Sequence, residues 1–360
     1  MKIMDIQKLE NWYSANFEKN LKGRRIVFTD IEPLLDKLNT KTFEKNKIGA
    51  SENGTSIYAL KVGTGKKKIL IWSQMHGNES TGTKAVFDLF KFFQDAGELE
   101  VVKNTILESC TLVFVPILNP DGSDKFTRVN SNDVDLNRDA VNLVAKESKI
   151  LRELLNEFNP KFCFNLHDQR TIFNVEGTKN PATISFLAPS EDLERSLTQG
   201  RRETMSVVVS MNSLLSKVIP GHIGRYTDEF YPTATGDNFQ KLGHNTILIE
   251  AGHYYDDYDR DQVRKFNFFA LIQGILFIAS ESDYSLYEPY FEIPNNDKMC
   301  YDIIYRNVKN SEGIVEDVAY QYDYLVVNNE LTMEASEVTS GDLSKFTGHK
   351  EYDLKNTELK

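Results

Sequence analysis

The sequence predicts an α/β protein with a mixed, mostly parallel twisted sheet flanked by helices and a small β-rich element in its C-terminal part. Three observations predict it. Between about residues 57 and 280, short apolar runs alternate with longer amphipathic ones, the pattern of strands exchanging with helices. The runs Lys68–Ser73, Cys110–Pro116, Lys161–His167, Thr183–Ala188 and Asn245–Glu250 have the length and apolar content of buried strands. After about Tyr287 the helical spacing stops and β-like runs, Met299–Val308 and Gln321–Val327, take its place.

Taken in order, residues 1–56 form a lead-in segment rich in Lys, Glu and Asn, expected to hold a helix and strands and given no chemistry. Residues 57–285 form the main domain. In it Ser80–Gln94 reads as a helix: Ala85, Val86, Leu89, Phe90 and Phe93 recur at helical spacing and Ser80 can cap it. The most apolar stretch, Phe268–Ala279, is shorter than the roughly 20 residues a membrane span needs and reads as a buried helix. Residues 286–360 form the β-rich element and a polar tail, which from about Glu334 is expected to be loose.

Lys and Arg number 42 against 53 Asp and Glu, a formal charge of −11, which disfavours nonspecific attraction to nucleic acid or an anionic membrane. Neither is expected as a partner. The first residues carry charges and no long apolar core with a cleavage site, so the expectation is a cytoplasmic protein. Cys110, Cys163 and Cys300 show no metal or redox spacing and read as free thiols.

Chemistry is carried by a few segments. Gln74-Met75-His76-Gly77-Asn78-Glu79-Ser80 joins an apolar strand to a helix, so His76 and Glu79 share a loop. An imidazole and a carboxylate there can bind one zinc ion, with Gly77 allowing close backbone approach; the same segment can equally be a capping turn. His167 ends the run from Lys161, and ligands gather at the carboxyl ends of strands in open α/β sheets, so it can meet the His76 loop. Asp168, next along, is a possible support for the metal site. Two His and one Glu would leave a position for water, as in catalytic zinc sites.

Glu250 closes another apolar run, where desolvation would raise its proton affinity and suit it to proton shuttling; an ordinary salt bridge at the sheet end is the plainer alternative. The turn Asn119-Pro120-Asp121-Gly122 is followed by Arg128 and by Asp135-Leu136-Asn137-Arg138. The arginines can hold the protein's own carboxylates or grip one on a substrate. His253 is expected to hydrogen-bond near the site, and His222, His244 and His349 to lie in solvent or loops.

Together these pieces resemble the zinc carboxypeptidase family: H-x-x-E at His76 and Glu79, N-P-D-G at 119–122, Arg128, D-L-N-R at 135–138, strand-terminal His167, and Glu250. The order and strand contexts agree over about residues 57–280, which makes residues 57–285 the expected catalytic domain. The resemblance implies one zinc ion per chain held by His76, Glu79 and His167, and Glu250 as general base and then acid. It also implies Arg128 at the oxyanion, and Asn137 and Arg138 on the substrate's terminal carboxylate. The family's mobile tyrosine corresponds best to Tyr231, with Tyr226 the other candidate, and the residue setting side-chain preference should lie near Gly236.

The implied activity is hydrolysis of a C-terminal peptide bond. Succinylglutamate desuccinylase and aspartoacylase relatives share the ligands and the His76-Gly77-Asn78-Glu79 sequence, so an N-acyl amino acid hydrolase is the rival reading. Either substrate, a peptide or an N-acyl amino acid, carries a free carboxylate. A binding protein of the same fold without catalysis is the non-enzymatic alternative.

Overall fold

The computed structural model describes residues 3–309, 311 and 313–355. Its fourteen strands are β1 (Glu44–Ala50), β2 (Ser56–Val62), β3 (Lys67–Trp72), β4 (Cys110–Val115), β5 (Phe162–Asp168), β6 (Asn174–Val175), β7 (Ile184–Leu187), β8 (Ile223–Arg225), β9 (Asn245–Ala251), β10 (Asn296–Asp297), β11 (Cys300–Lys309), β12 (Val315–Val327), β13 (Glu330–Gly341) and β14 (Thr347–Asp353). Nine α-helices accompany them among the described residues: α1 (Ile6–Asn16), α2 (Phe28–Asp36), α3 (Thr81–Gln94), α4 (Glu100–Ser109), α5 (Pro120–Lys125), α6 (Lys146–Phe158), α7 (Gln199–Leu215), α8 (Thr235–Lys241) and α9 (Asp261–Ser280).

Eight strands make the main sheet in the order β1-β2-β4-β3-β5-β9-β7-β8. The centre, β4-β3-β5-β9, is parallel throughout, and β1, β2 and the β7–β9 contact bring antiparallel pairings at the sides. Central parallel strands are buried on both faces, which explains their near-continuous apolar runs. Alternate side chains serve the two faces. Ile69, Ile71, Phe164 and Ile247 pack with α3, α7 and α9 on one side; Leu70, Trp72 and Cys163 pack with Leu151 and Leu155 of α6 and Phe239 of α8 on the other.

All three cysteines are buried and free, as their spacing suggests. Helix α9 is long and apolar enough to cross a membrane by length and composition, yet 89% of the relevant window is buried inside the protein. It is a core helix. Its Arg264 donates to both carboxylate oxygens of the buried Asp88 on α3, at 2.5 and 2.7 Å, and to the carbonyls of Glu18 and Leu21, both at 2.7 Å. One guanidinium thereby fixes the lead-in loop against the core.

Two local expectations are corrected. Ser80 does stand at the N-cap of α3, but its hydroxyl donates to the Arg24 carbonyl at 2.5 Å and caps nothing. The stretch from Glu334, expected to be loose, continues β13 to Gly341 and is followed by β14. A four-stranded sheet, β13-β12-β11-β14, holds it through backbone pairing, β14 running parallel to β11. Most of β13 is exposed, so no apolar alternation marked it in the sequence. Residues 356–360 of the expected tail lie outside the described residues.

The C-terminal sheet sits against the main body through several bonds: Cys300 N–H to the Ile172 carbonyl at 3.1 Å, Gln321 Nε2 to Thr171 Oγ1 at 2.6 Å, and His349 Nε2 at 2.8 Å from the Thr171 carbonyl. These contacts place β12 beside the carboxyl end of the main sheet.

Candidate active site

The carboxyl ends of β3, β5 and β9 open onto one cleft of about 820 Å³. Register does much of the positioning: His167 of β5 and Glu250 of β9 are direct neighbours across the parallel ladder. His76 arrives from the loop after β3. That loop is braced by the Asn119 turn, since the N–H of Asn119 donates to the Gln74 carbonyl at 2.9 Å and its Nδ2 to the Met75 carbonyl at 3.2 Å. The two loops touch at Gly77, where a Cβ would lie 1.9 Å from the carbonyl carbon of Gly122. Only glycine fits.

His76, Glu79 and His167 converge, all buried, with one potential ligand atom from each within 4.8 Å of the others. Glu79 Oε1 is 2.9 Å from His76 Nδ1, Glu79 Oε2 is 2.8 Å from His167 Nδ1, and the two Nδ1 atoms are 3.1 Å apart. On its other side His76 Nε2 lies 3.1 Å from Asp135 Oδ1. That carboxylate calls for a proton on Nε2, which leaves the Nδ1 lone pair turned inwards. Lone pairs gathered this closely are best accommodated around a cation, and two imidazoles with one carboxylate are a zinc donor set. The residues fit the metal that the sequence resemblance implies.

Electrostatics separate the two glutamates. Burial would raise the Glu79 carboxyl, but His76 and His167 outweigh it and hold it well below the usual range. Glu250 has no such partner: burial first, then the charges of Glu79 and Asp168, push it well above that range. Burial works against the protonated form of both imidazoles; it prevails at His167, whereas the Glu79 and Asp135 carboxylates raise His76. Two carboxyls driven apart in this way are suited to different tasks, the ionised one to holding a cation and the other to carrying a proton.

Arg128, nearly half exposed, donates from Nε to Asp135 Oδ2 at 2.9 Å and stands 3.4 Å from Glu79 Oε1. Asn137 and Arg138 lie in a short 3-10 helix, Leu136–Arg138. Asn137 Oδ1 accepts the Thr235 N–H at 3.0 Å, while Arg138 donates to the Asn137 carbonyl at 2.7 Å and places its guanidinium 5.8 Å from the centre of the Tyr231 ring. Tyr231 is exposed at the rim, its hydroxyl 3.0 Å from Glu229 Oε2; Tyr226 is largely buried, and burial raises its hydroxyl pKa. Every residue to which the resemblance gave a role lines this one cleft: His76, Glu79, Arg128, Asn137, Arg138, His167, Tyr231 and Glu250.

Other expectations fare differently. Asp168 meets the site through its backbone, donating its N–H to Glu79 Oε2 at 3.1 Å, while its Oδ2 accepts from Thr81 at 2.7 Å. His253, expected to hydrogen-bond, is buried with neither ring nitrogen partnered, its ring 4.1 Å from that of His349. His349, expected in a loop, belongs to β14. The reason is common to both: the C-terminal sheet packs here. Sequence reasoning also passed over Asp135 as a partner of His76, although its place beside Asn137 was a signal. It passed over the cleft-lining Arg24, Arg260 and Tyr324, for which no local signal existed.

Known proteins share part of this sequence and this fold. Residues 31–163 match the zinc carboxypeptidase family. In sequence and in fold, the chain resembles the zinc carboxypeptidases. Carboxypeptidase 2 of Trichophyton rubrum is 28% identical over 104 residues, 28% of this chain and 19% of that protein. Carboxypeptidase SOL1 of Arabidopsis thaliana is 26% identical over 168 residues, 42% of this chain and 34% of its own length. The matched region thus spans a minor part of these relatives. Among solved structures, a metallo-carboxypeptidase from Burkholderia cenocepacia superposes with a TM-score of 0.56 at 18% identity, covering 70% of this chain and 68% of that one. The family match reaches the residues of the His76 loop, Arg128 and the Asn137 region, and the shared fold extends beyond it.

Proposed function

We propose that the chain is a zinc-dependent carboxypeptidase that hydrolyses the C-terminal peptide bond of its substrate. The observation that carries this reading is Glu250, a carboxyl of raised pKa beside His167 of a buried two-His, one-Glu cluster. Zinc bound by His76, Glu79 and His167 would polarise the scissile carbonyl and lower the pKa of its water towards roughly 7.

The protein's own groups supply the remaining work. Glu250 takes a proton from the attacking water and hands it to the leaving amine, a task suited to a carboxyl whose pKa is already raised. Arg128, held by Asp135, offers its guanidinium to the oxyanion. Asn137 and Arg138 grip the terminal carboxylate, and Tyr231 at the exposed rim closes over it. Asp135 keeps the imidazole of His76 turned the right way.

The test is a parallel assay of blocked peptides and N-acyl amino acids with zinc-loaded protein. Release of the C-terminal residue from peptides is the expected result. Release of an acyl group from N-acyl amino acids, with all peptides left intact, would overturn the peptidase reading in favour of an acyl amino acid hydrolase.

A further inference from the structure

A group of buried donors without partners faces the cleft, and none has a task in the reaction above. Arg24, in the loop before α2, has a side chain only 10% exposed. Its Nε is buried with no hydrogen-bond partner, and its ion pair to Asp168 is long at 3.6 Å. Arg260, at the N-cap of α9, directs its two terminal nitrogens to the carbonyls of Ala251 and Gln169, leaving its own Nε buried and unpartnered. Tyr324 of β12 lies under the Arg24 guanidinium, 5.5 Å from it, and its buried hydroxyl also lacks a partner.

Three orphaned donors from three distant segments thus line one cleft, close to one another. A buried donor left unpaired is destabilising, and such groups are rare in folded proteins unless something satisfies them. Charge points the same way. Asp168 is the carboxylate paired with Arg24, and the like charges of Arg24 and Arg260 are felt strongly enough to help burial lower the Arg260 guanidinium to about 10. Two guanidiniums therefore stand near each other here, with the carboxylates of Asp168 and Asp257 close by.

We propose that Arg24, Arg260 and Tyr324 form a second anion subsite, which holds a carboxylate on the acyl side of the scissile bond. The orientation rests on the peptidase reading, in which Asn137 and Arg138 hold the carboxylate of the leaving residue. The bonded path from Arg24 to Asn137 runs through Asp168, Glu79, His76 and Asp135, so the metal cluster lies between the two groups. A substrate held by Asn137 and cut at the cluster extends its acyl portion towards Arg24. A guanidinium and a phenol suit a carboxylate, by a forked pair of N–H bonds and one O–H bond. The substrate class is therefore a peptide with an acidic residue just before the bond that is cut.

The experiment uses peptides acetyl-Ala-X-Z with X either Glu or Gln, and Z run through Ala, Leu, Phe, Lys and Glu. Cleavage is followed with the zinc-loaded protein, and binding by calorimetry with the zinc-loaded Glu250→Gln variant. The expected result is a preference for Glu over Gln of about ten-fold in both kcat/KM and Kd. The ratio should fall to about one in Arg24→Gln and be partly kept in Arg24→Lys. Cleavage without preference overturns the subsite and leaves the peptidase reading intact. Preferential binding of the Glu peptides without any cleavage upholds the subsite and sinks the peptidase reading. Neither binding nor cleavage overturns both. Equal losses on Glu and Gln peptides in Arg24→Gln, with a lowered melting temperature, would make Arg24 a structural residue and also overturn the subsite.

Discussion

His76 Nε2 lies 3.1 Å from Asp135 Oδ1, and the other oxygen of the same carboxylate accepts from Arg128 Nε at 2.9 Å. One side chain therefore orients both a metal-facing imidazole and the arginine assigned to the oxyanion. Burial opposes a charged Asp135, yet His76 and Arg128 hold its carboxyl below the usual range. Replacing it with Asn keeps the shape and removes the charge. In Asp135→Asn, zinc affinity should fall about 10–100-fold, measured by competition with a chelator of known affinity. Unchanged affinity would show that His76 needs no such support.

Glu250→Gln should keep about one zinc per chain and lose about 10²–10⁴-fold in kcat. The wild-type pH profile checks the same residue. A general base must be ionised to act, and burial raises the Glu250 pKa, so activity should fall with decreasing pH above the ordinary carboxylate range. An acid limb at the usual carboxylate position would remove the basis for assigning Glu250 as the base.

At Gly77 the His76 loop and the turn at Gly122 are in backbone contact. A methyl group has nowhere to go, because the obstacle is a carbonyl carbon and not a flexible side chain. Gly77→Ala should destabilise the fold by about 1–3 kcal/mol in denaturant unfolding and reduce zinc retention with it. Wild-type stability in this variant would mean that the two loops are free to separate.

The Asp88–Arg264 pair is buried on both sides and links α3, α9 and the carbonyls of the lead-in segment. Removing one partner strands a charge in the core. Asp88→Ala should cost about 3–5 kcal/mol of unfolding free energy. Since Arg264 also holds the chain at Glu18 and Leu21, the same change should weaken any preference that depends on Arg24. A loss below about 1 kcal/mol would show the pair to be dispensable.

What the sequence made legible follows from where physics is local. His167 and Glu250 end apolar strands, so their place at the sheet's carboxyl edge could be read directly, and their adjacency followed once β5 and β9 paired. His76 and Glu79 share one loop, and Asn137 and Arg138 share one turn. Arg24 and Tyr324 could not be read in this way. The first lies in a polar segment without periodicity, and the second on a strand of mixed exposure; only docking brings them within 5.5 Å. The β13–β14 region escaped for a related reason, being held by backbone pairing on a largely exposed sheet.

Strand β12 forms part of the cleft wall, yet none of its residues belongs to the His76, Glu79 and His167 cluster. Part of the cleft wall is thus written on a stretch of chain apart from the cluster. Substitutions along β12 can change what the cleft accepts while the ligands and Glu250 stay as they are. Strand β12 is where descendants of this protein can change what the cleft admits while its buried cluster is inherited unaltered.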